Sequence, residues 1–442
     1  MPHRASLLLA AWLVIPALTR PPLLAGQTVS PTTGPATSLA APDSALSLTG
    51  AVDLARQQGL LRQLAEARGR IADGRVREST QWLNPTLEWR RENLGSPLQP
   101  DIFATAYVPF DLTGRRLALR GASTAGRGRV QADLQHERRM AELAVARGWL
   151  EAASARELSA VQQEQAAALQ ELARVDSTRV REGLVAEAVG LRTSLEADRA
   201  QMTAVRARQN EGEQLLQLSR QLGETVRAER LAALMAPELP AAPDTMLAVS
   251  TALRSRPDLL ARELAVMEAR KRLAAEQRGV LGEVQLQGGT KETGGFMTGQ
   301  LGVAMPLPLF NRNNGARERA AGELREAQLL HDDARRALQL SVLRARQHYL
   351  ALRSTRDAAA SFDARATTLV QSARVAYREG HLTLTELLDA ERAAVEARTA
   401  HRQWMVDAWL ARLEFELALG ARLDAQSPLD LPLLTPSTPS GR

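Results

Sequence analysis

The sequence predicts a mainly α-helical chain written twice, with one pair of short membrane β-strands in each copy. Three observations carry that reading. Landmarks recur in order at one offset, two proline-free stretches exceed an ordinary globular helix, and aromatic residues gather in segments of alternating polarity.

Residues 1–26 read as an export signal. Arg4 supplies the positive end, residues 7–18 the apolar stretch, and Leu23-Leu24-Ala25 a small-residue cleavage site. Residues 27–45 are rich in Pro, Thr, Ser and Gly and read as an unstructured linker, as do residues 425–442 at the other end. No later stretch offers the run of about 18 apolar residues that a spanning helix needs, so any passage through a membrane is not helical.

The duplication follows. Pro109 in Val108-Pro109-Phe110-Asp111-Leu112 is matched by Pro306 in Met305-Pro306-Leu307-Pro308-Leu309. Arg181-Glu182-Gly183 is matched by Arg378-Glu379-Gly380, and Leu222-Gly223 by Leu419-Gly420; every pair is 197 residues apart. These landmarks define two repeats, 46–235 and 251–424, joined by a linker at 236–250. Each repeat runs helix, two extended segments, very long helix, glycine turn, return helix.

Residues 114–182 and 315–379 contain no proline. As helices rising ~1.5 Å per residue, each would reach roughly 100 Å. Leu150, Val161 and Leu172 recur every 11 residues, as do Leu329, Leu340, Ala351 and Phe362. That spacing departs from the heptad and suits helices laid nearly straight, side by side. The return helices are expected at about 187–222 and 385–419.

The extended segments, 84–92 with 102–112 and 282–292 with 294–310, hold seven of the chain's aromatics: Trp82, Trp89, Phe103, Tyr107, Phe110, Phe296 and Phe310 lie in or beside them. Met297, Gly299, Leu301, Val303 and Met305 alternate with Thr298, Gln300 and Gly302. Alternating segments of ~9–11 residues with aromatic ends suit a transmembrane β-barrel, although two soluble hairpins capping a bundle satisfy the same pattern. Four strands cannot close a barrel, and an open edge in lipid strands backbone polar groups. Two chains would give eight strands with a filled interior; three would give twelve, the smallest assembly with an open tube.

Composition excludes other classes. The chain has no Cys, hence no disulfide, thiolate metal site or Cys nucleophile. Its net charge of +6 comes from 56 basic residues interspersed with 50 acidic ones, the pattern of solvated helices rather than of a nucleic-acid binder. No phosphate loop, H-E-x-x-H or G-x-S-x-G motif occurs, and the six histidines lack ligand spacing. The expectation is a protein that is not an enzyme, with no catalytic residue, metal site or cofactor.

The doubled plan, the Arg-Glu-Gly turns and Arg256-Pro257-Asp258-Leu259 at the start of the second half resemble the TolC family of outer-membrane efflux ducts over residues 46–424. The run at 305–315 (MPLPLFNRNNG) resembles the branch serving cobalt–zinc–cadmium and other heavy-metal exporters. The resemblance implies a homotrimer whose 12-stranded outer-membrane β-barrel continues into a periplasmic α-helical barrel. It implies as partners a periplasmic adaptor and an inner-membrane pump, usually of the RND type, with heavy-metal cations leaving through the shared lumen. A duct for drugs or other small organic molecules is the alternative within the family, and a soluble helical scaffold the alternative outside it.

Site residues follow from the same resemblance. Val180, Arg181, Glu182, Gly183 and Leu184, with Tyr377, Arg378, Glu379 and Gly380, would form the periplasmic rim that meets the adaptor. Glu386 and Asp389, three residues apart on one helix face, would form the acidic entrance gate. Thr383-Leu384-Thr385-Glu386 also has capping-box spacing, a structural use for Glu386. Val189 and Arg192 stand at the matching places of the first repeat, and Leu382 where some members place a basic residue that ties the gate.

Overall fold

The computed structural model describes residues 45–57, 60–94 and 100–421. The expected export signal, all but the last residue of the expected linker, and the expected tail lie outside them. The first repeat comprises α1 (Leu48–Gln57), α2 (Leu60–Thr80), β1 (Thr86–Arg91), β2 (Ile102–Phe110), α3 (Arg115–Arg181) and α4 (Glu187–Leu222). The second comprises α5 (Thr245–Ser255), α6 (Pro257–Arg278), β3 (Val284–Thr293), β4 (Phe296–Ala304), α7 (Asn314–Ser354), α8 (Arg356–Arg378) and α9 (Leu384–Ala418). Residues 236–244 are not helical, and α5 begins inside the expected linker, capped by the Asp244 carboxylate on the Met246 N–H at 3.0 Å.

Local capping sets the ends of the longest helix. The Asp111 carboxylate accepts from the backbone N–H groups of Thr113, Arg115 and Arg116 at 3.0, 3.3 and 2.7 Å, satisfying donors at the start of α3. At its other end Gly183 N–H donates to Val180 O at 3.0 Å and Leu184 N–H to Arg179 O at 2.8 Å. Gly380 and His381 repeat this on Tyr377 O and Ala376 O at 3.1 and 2.9 Å. Both turns are Schellman caps, and their glycines sit at φ 73° and 79°, where a side chain is strained.

The second long helix differs from expectation. It breaks at Thr355, where φ is −97° and ψ 2°. The Ser354 and Thr355 hydroxyls turn back onto the carbonyls of Ala351 and Leu352 at 2.7 and 3.0 Å. Trp404 of α9 donates its indole N–H to the Thr355 hydroxyl at 3.0 Å. Hydroxyls that bond the preceding turn compete with the helix ladder, and the indole holds the bend. Position 158, the equivalent in α3, is a leucine, and α3 runs unbroken for 67 residues.

The four strands form one antiparallel sheet in the order β1-β2-β3-β4. Beyond β4, residues 305–310 leave the sheet because Pro306 and Pro308 have no N–H to donate. The register separates two faces. One carries Leu87, Trp89, Ile102, Ala104, Ala106, Val108, Leu286, Met297, Leu301 and Val303, with Arg91 and Glu292 at its turn end; the other carries Glu88, Arg90, Phe103, Thr105, Tyr107, Gln287, Lys291, Thr298 and Gln300. Leu87, Trp89, Met297, Leu301 and Val303 on the apolar face are largely exposed within the chain. β1 and β4 are the two open edges.

Two clusters fix the middle of the helices. Leu46, α1 and residues 226–234 pack on Trp149, Leu150 and Ala153 of α3, with the Trp149 indole donating to Leu46 O at 2.9 Å. Leu239 and α5 pack on Leu338, Val342 and Tyr349 of α7, whose phenol donates to Pro240 O at 2.6 Å. Alanine dominates the buried positions of α3, which lets helices approach closely in a chain with only 3% aromatics. No helix among the described residues is long and apolar enough to cross a membrane.

Candidate channel entrance

The far ends of α3 and α8, a full helix length from the sheet, lie together. Arg181, Glu182, Gly183, Leu184, Arg378, Glu379 and Gly380 are exposed there, while Val180 and Tyr377 are half-buried. The two turns meet through a residue absent from the expectations above. Asp176 of α3 is fully buried and accepts from the Thr193 hydroxyl of α4 at 2.9 Å and from the Tyr377 hydroxyl of α8 at 3.1 Å. The Arg179 guanidinium stands 3.6 Å away. One carboxylate thus joins three helices from both repeats. The clue in sequence is an acid on an otherwise apolar stripe, with Leu169, Leu172 and Val180 at helical spacing around it.

Burial, then the charge of Asp176, pushes the Tyr377 phenol up from 10.0 to about 12. A folded pKa above the unfolded one means this contribution is fully present below about 10 and lost as pH rises through about 12. The Tyr377–Asp176 bond is therefore expected to hold unchanged over about pH 6 to 9 and to release only in strong alkali. Titration of tyrosinate absorbance against a Tyr377→Phe variant checks this; a difference signal already complete near neutrality would contradict it.

Glu386 and Asp389 fall at the start of α9. Glu386 forms the capping box: Thr383 N–H donates to its carboxylate at 2.8 Å, and Glu386 N–H to the Thr383 hydroxyl at 3.3 Å. The Thr383 hydroxyl and backbone bonds hold this exposed carboxyl below the usual range. Asp389 is exposed, 3.9 Å from Arg392, which itself bonds Glu196 of α4 at 2.8 Å. Arg192 donates to the Thr385 hydroxyl at 3.2 Å. The acids therefore stand among cations, and the charge at this end is mixed. Val189 packs with Leu384 and Leu388, and Leu382 with Ala373 and Leu387. The described residues hold no group of three or more His, Asp or Glu able to take a metal ion.

A sheet with one apolar and one polar face, open at both edges and continued by helices of this length, is the protomer fold of solved outer-membrane channels. Residues 248–421, nearly the whole second repeat, match the family described as outer membrane efflux protein. No curated protein matches the sequence. Among solved structures, the CmeC outer membrane channel of Campylobacter jejuni is similar at 17% identity and TM-score 0.71, over 84% of this chain and 85% of that one. The outer membrane protein VceC of Vibrio cholerae is similar at 18% identity and TM-score 0.69, over 85% and 97%. The open state of the MtrE outer membrane channel of Neisseria gonorrhoeae is similar at 17% and 0.69, over 86% and 91%. At these identities the similarity establishes the fold.

Proposed function

We propose that three copies of this chain close into one outer-membrane tube that serves as the exit duct of a tripartite efflux system. The observation that carries this reading is the unfinished protomer. Its sheet ends in two open edges, and its helices end in two free flanks. Within the chain α4 packs on α3, α3 on α9 and α9 on α8. The outer side of α4 exposes Leu191, Leu195, Met202 and Val205; α7 and α8 expose Leu329, Leu340, Phe362 and Leu369. Head-to-tail closure would seat α8 against the next copy's α4 and pair β4 with its β1, forming a ring.

In this reading the export signal delivers the chain to the periplasm, and the repeats 46–235 and 251–424 are its two units. Residues 180–184 and 377–380 form the rim that receives the periplasmic adaptor, behind which stands an inner-membrane pump of the RND type. The Asp176–Tyr377–Thr193 cluster clamps the entrance shut, and Glu386 and Asp389 line it. Heavy-metal cations are the favoured cargo, supported by the run at 305–315; drugs or other small organic molecules are the alternative.

Electron microscopy of protein extracted from outer membranes tests the assembly. Three-fold tubes longer than ~100 Å with one short detergent-coated end are expected; soluble monomers or bundles without a detergent belt would refute it. Metal and drug tolerance of cells lacking their own duct, complemented with this chain and each candidate pump, decides the cargo. For the gate, Glu386→Ala with Asp389→Ala should raise single-channel conductance or weaken cation preference. If neither changes, those acids do not line the entrance.

A further inference from the structure

The polar face of the sheet carries two cations in one place. Arg90, Phe103, Lys291 and Thr298 stand opposite one another across all four strands. The Arg90 guanidinium carbon lies 4.7 Å from the centre of the Phe103 ring, and Lys291 Nζ lies 5.1 Å from it. One phenyl, on the strand between them, makes a cation–π contact with each. Arg90 shares its charge with Glu92 at 3.1 Å, just past the end of β1. Lys291, one of only two lysines in the chain, has the Phe103 ring as its described cation contact. In the next row towards the helices, the Glu88 carboxylate accepts from the Tyr107 hydroxyl at 2.8 Å. Beyond it Thr86, Tyr107, Gln287 and Gly302 carry no charge. This face's two cations therefore sit at the end where the hairpins turn, away from the helices, with Glu92 and Asp101 just beyond them.

We infer that Arg90 and Lys291, held on Phe103, form an anion-attracting belt at the outer mouth of the channel. The inference rests on the trimeric barrel proposed above, because only closure turns the polar face inward, with the apolar face towards lipid. Three copies then bring together three phenyl-bound pairs around one lumen. Rings of Arg and Lys favour anions in pores. Inorganic anions and carboxylate-, sulfate- or phosphate-bearing solutes are the class the belt draws in, and free cations the class it repels.

Purified trimers in planar bilayers under a KCl gradient provide the test. At ~0.1 M salt, where charges act over about 10 Å, Arg90→Gln with Lys291→Gln should raise the K⁺/Cl⁻ permeability ratio about twofold or more. The shift should shrink near 1 M, where that distance falls to about 3 Å. Phe103→Leu, which keeps both charges but frees them, should shift the ratio the same way by less. In the unaltered protein, citrate should block current several-fold better from the barrel side than from the helical side. Conducting variants with the wild-type ratio, or equal citrate block from both sides, would overturn the belt while leaving the duct standing. Unaltered protein that forms neither trimers nor conductance steps would overturn the duct itself, and the belt with it.

Discussion

Tyr377→Phe is expected to yield trimers that conduct more than the wild type, and Asp176→Ala to do so more strongly. The phenylalanine removes one hydroxyl from a fully buried carboxylate, leaving it to Thr193 at 2.9 Å and Arg179 at 3.6 Å. A hydrogen bond to a charged group contributes about 1.5–3 kcal/mol, roughly a tenfold to hundredfold change in the balance of closed and open states. Asp176→Ala removes the shared acceptor and releases α8 and α4 together. Asp176→Asn keeps an acceptor without the charge and should fall between the wild type and alanine. The measurement is single-channel conductance and its closures in bilayers. If all three variants conduct and close like the wild type, the cluster is a structural contact and the entrance is held elsewhere.

Gly289→Val is expected to abolish assembly. Gly289 lies between Thr105 and Gln300 in the register, and the Gln300 amide reaches across it to the Thr105 hydroxyl at 2.5 Å. A side chain there would run into the Ala104 carbonyl and the Thr105 backbone, neither of which can yield without separating β2 from β3. Overpacking typically costs about 1–3 kcal/mol, and pushing backbone against backbone belongs at the upper end. Gly288→Val is the matched control, because a Cβ there meets the Leu301 side chain at an ordinary 3.7 Å. Heat-modifiable trimers on gels should vanish for the first variant and persist for the second. Equal yields would mean that the β2–β3 pairing does not limit assembly.

Much of this fold is legible in the chain itself. The Arg-Glu-Gly landmarks mark two helix ends that share one capping geometry, and proline-free length marks the helices between strand and turn. Alternation at 297–303 separates the two faces of the sheet. Two features escape such reading. The break at Thr355 depends on a hydrogen bond from Trp404, 49 residues away, and a Ser-Thr pair inside a helix has no fixed outcome until that partner is placed. The role of Asp176 depends on Tyr377, 201 residues away, so the acid could be noticed but its partner could not be named. At the start of α9, the resemblance brought out Glu386 and Asp389, but the bonds of Arg192 to Thr385 and of Arg392 to Glu196 cross between repeats and could not be read from either one.

The break at Thr355 gives the two repeats different mechanics. A continuous helix such as α3 stores bending along its whole length and resists it everywhere, whereas α7 and α8 meet at a joint where bending concentrates. Each chain is therefore one rigid strut and one articulated arm, with the joint on the second repeat and the Tyr377 fastening at that arm's tip. A pull at the tip would be taken up at the joint, and the sheet at the opposite end would feel little of it.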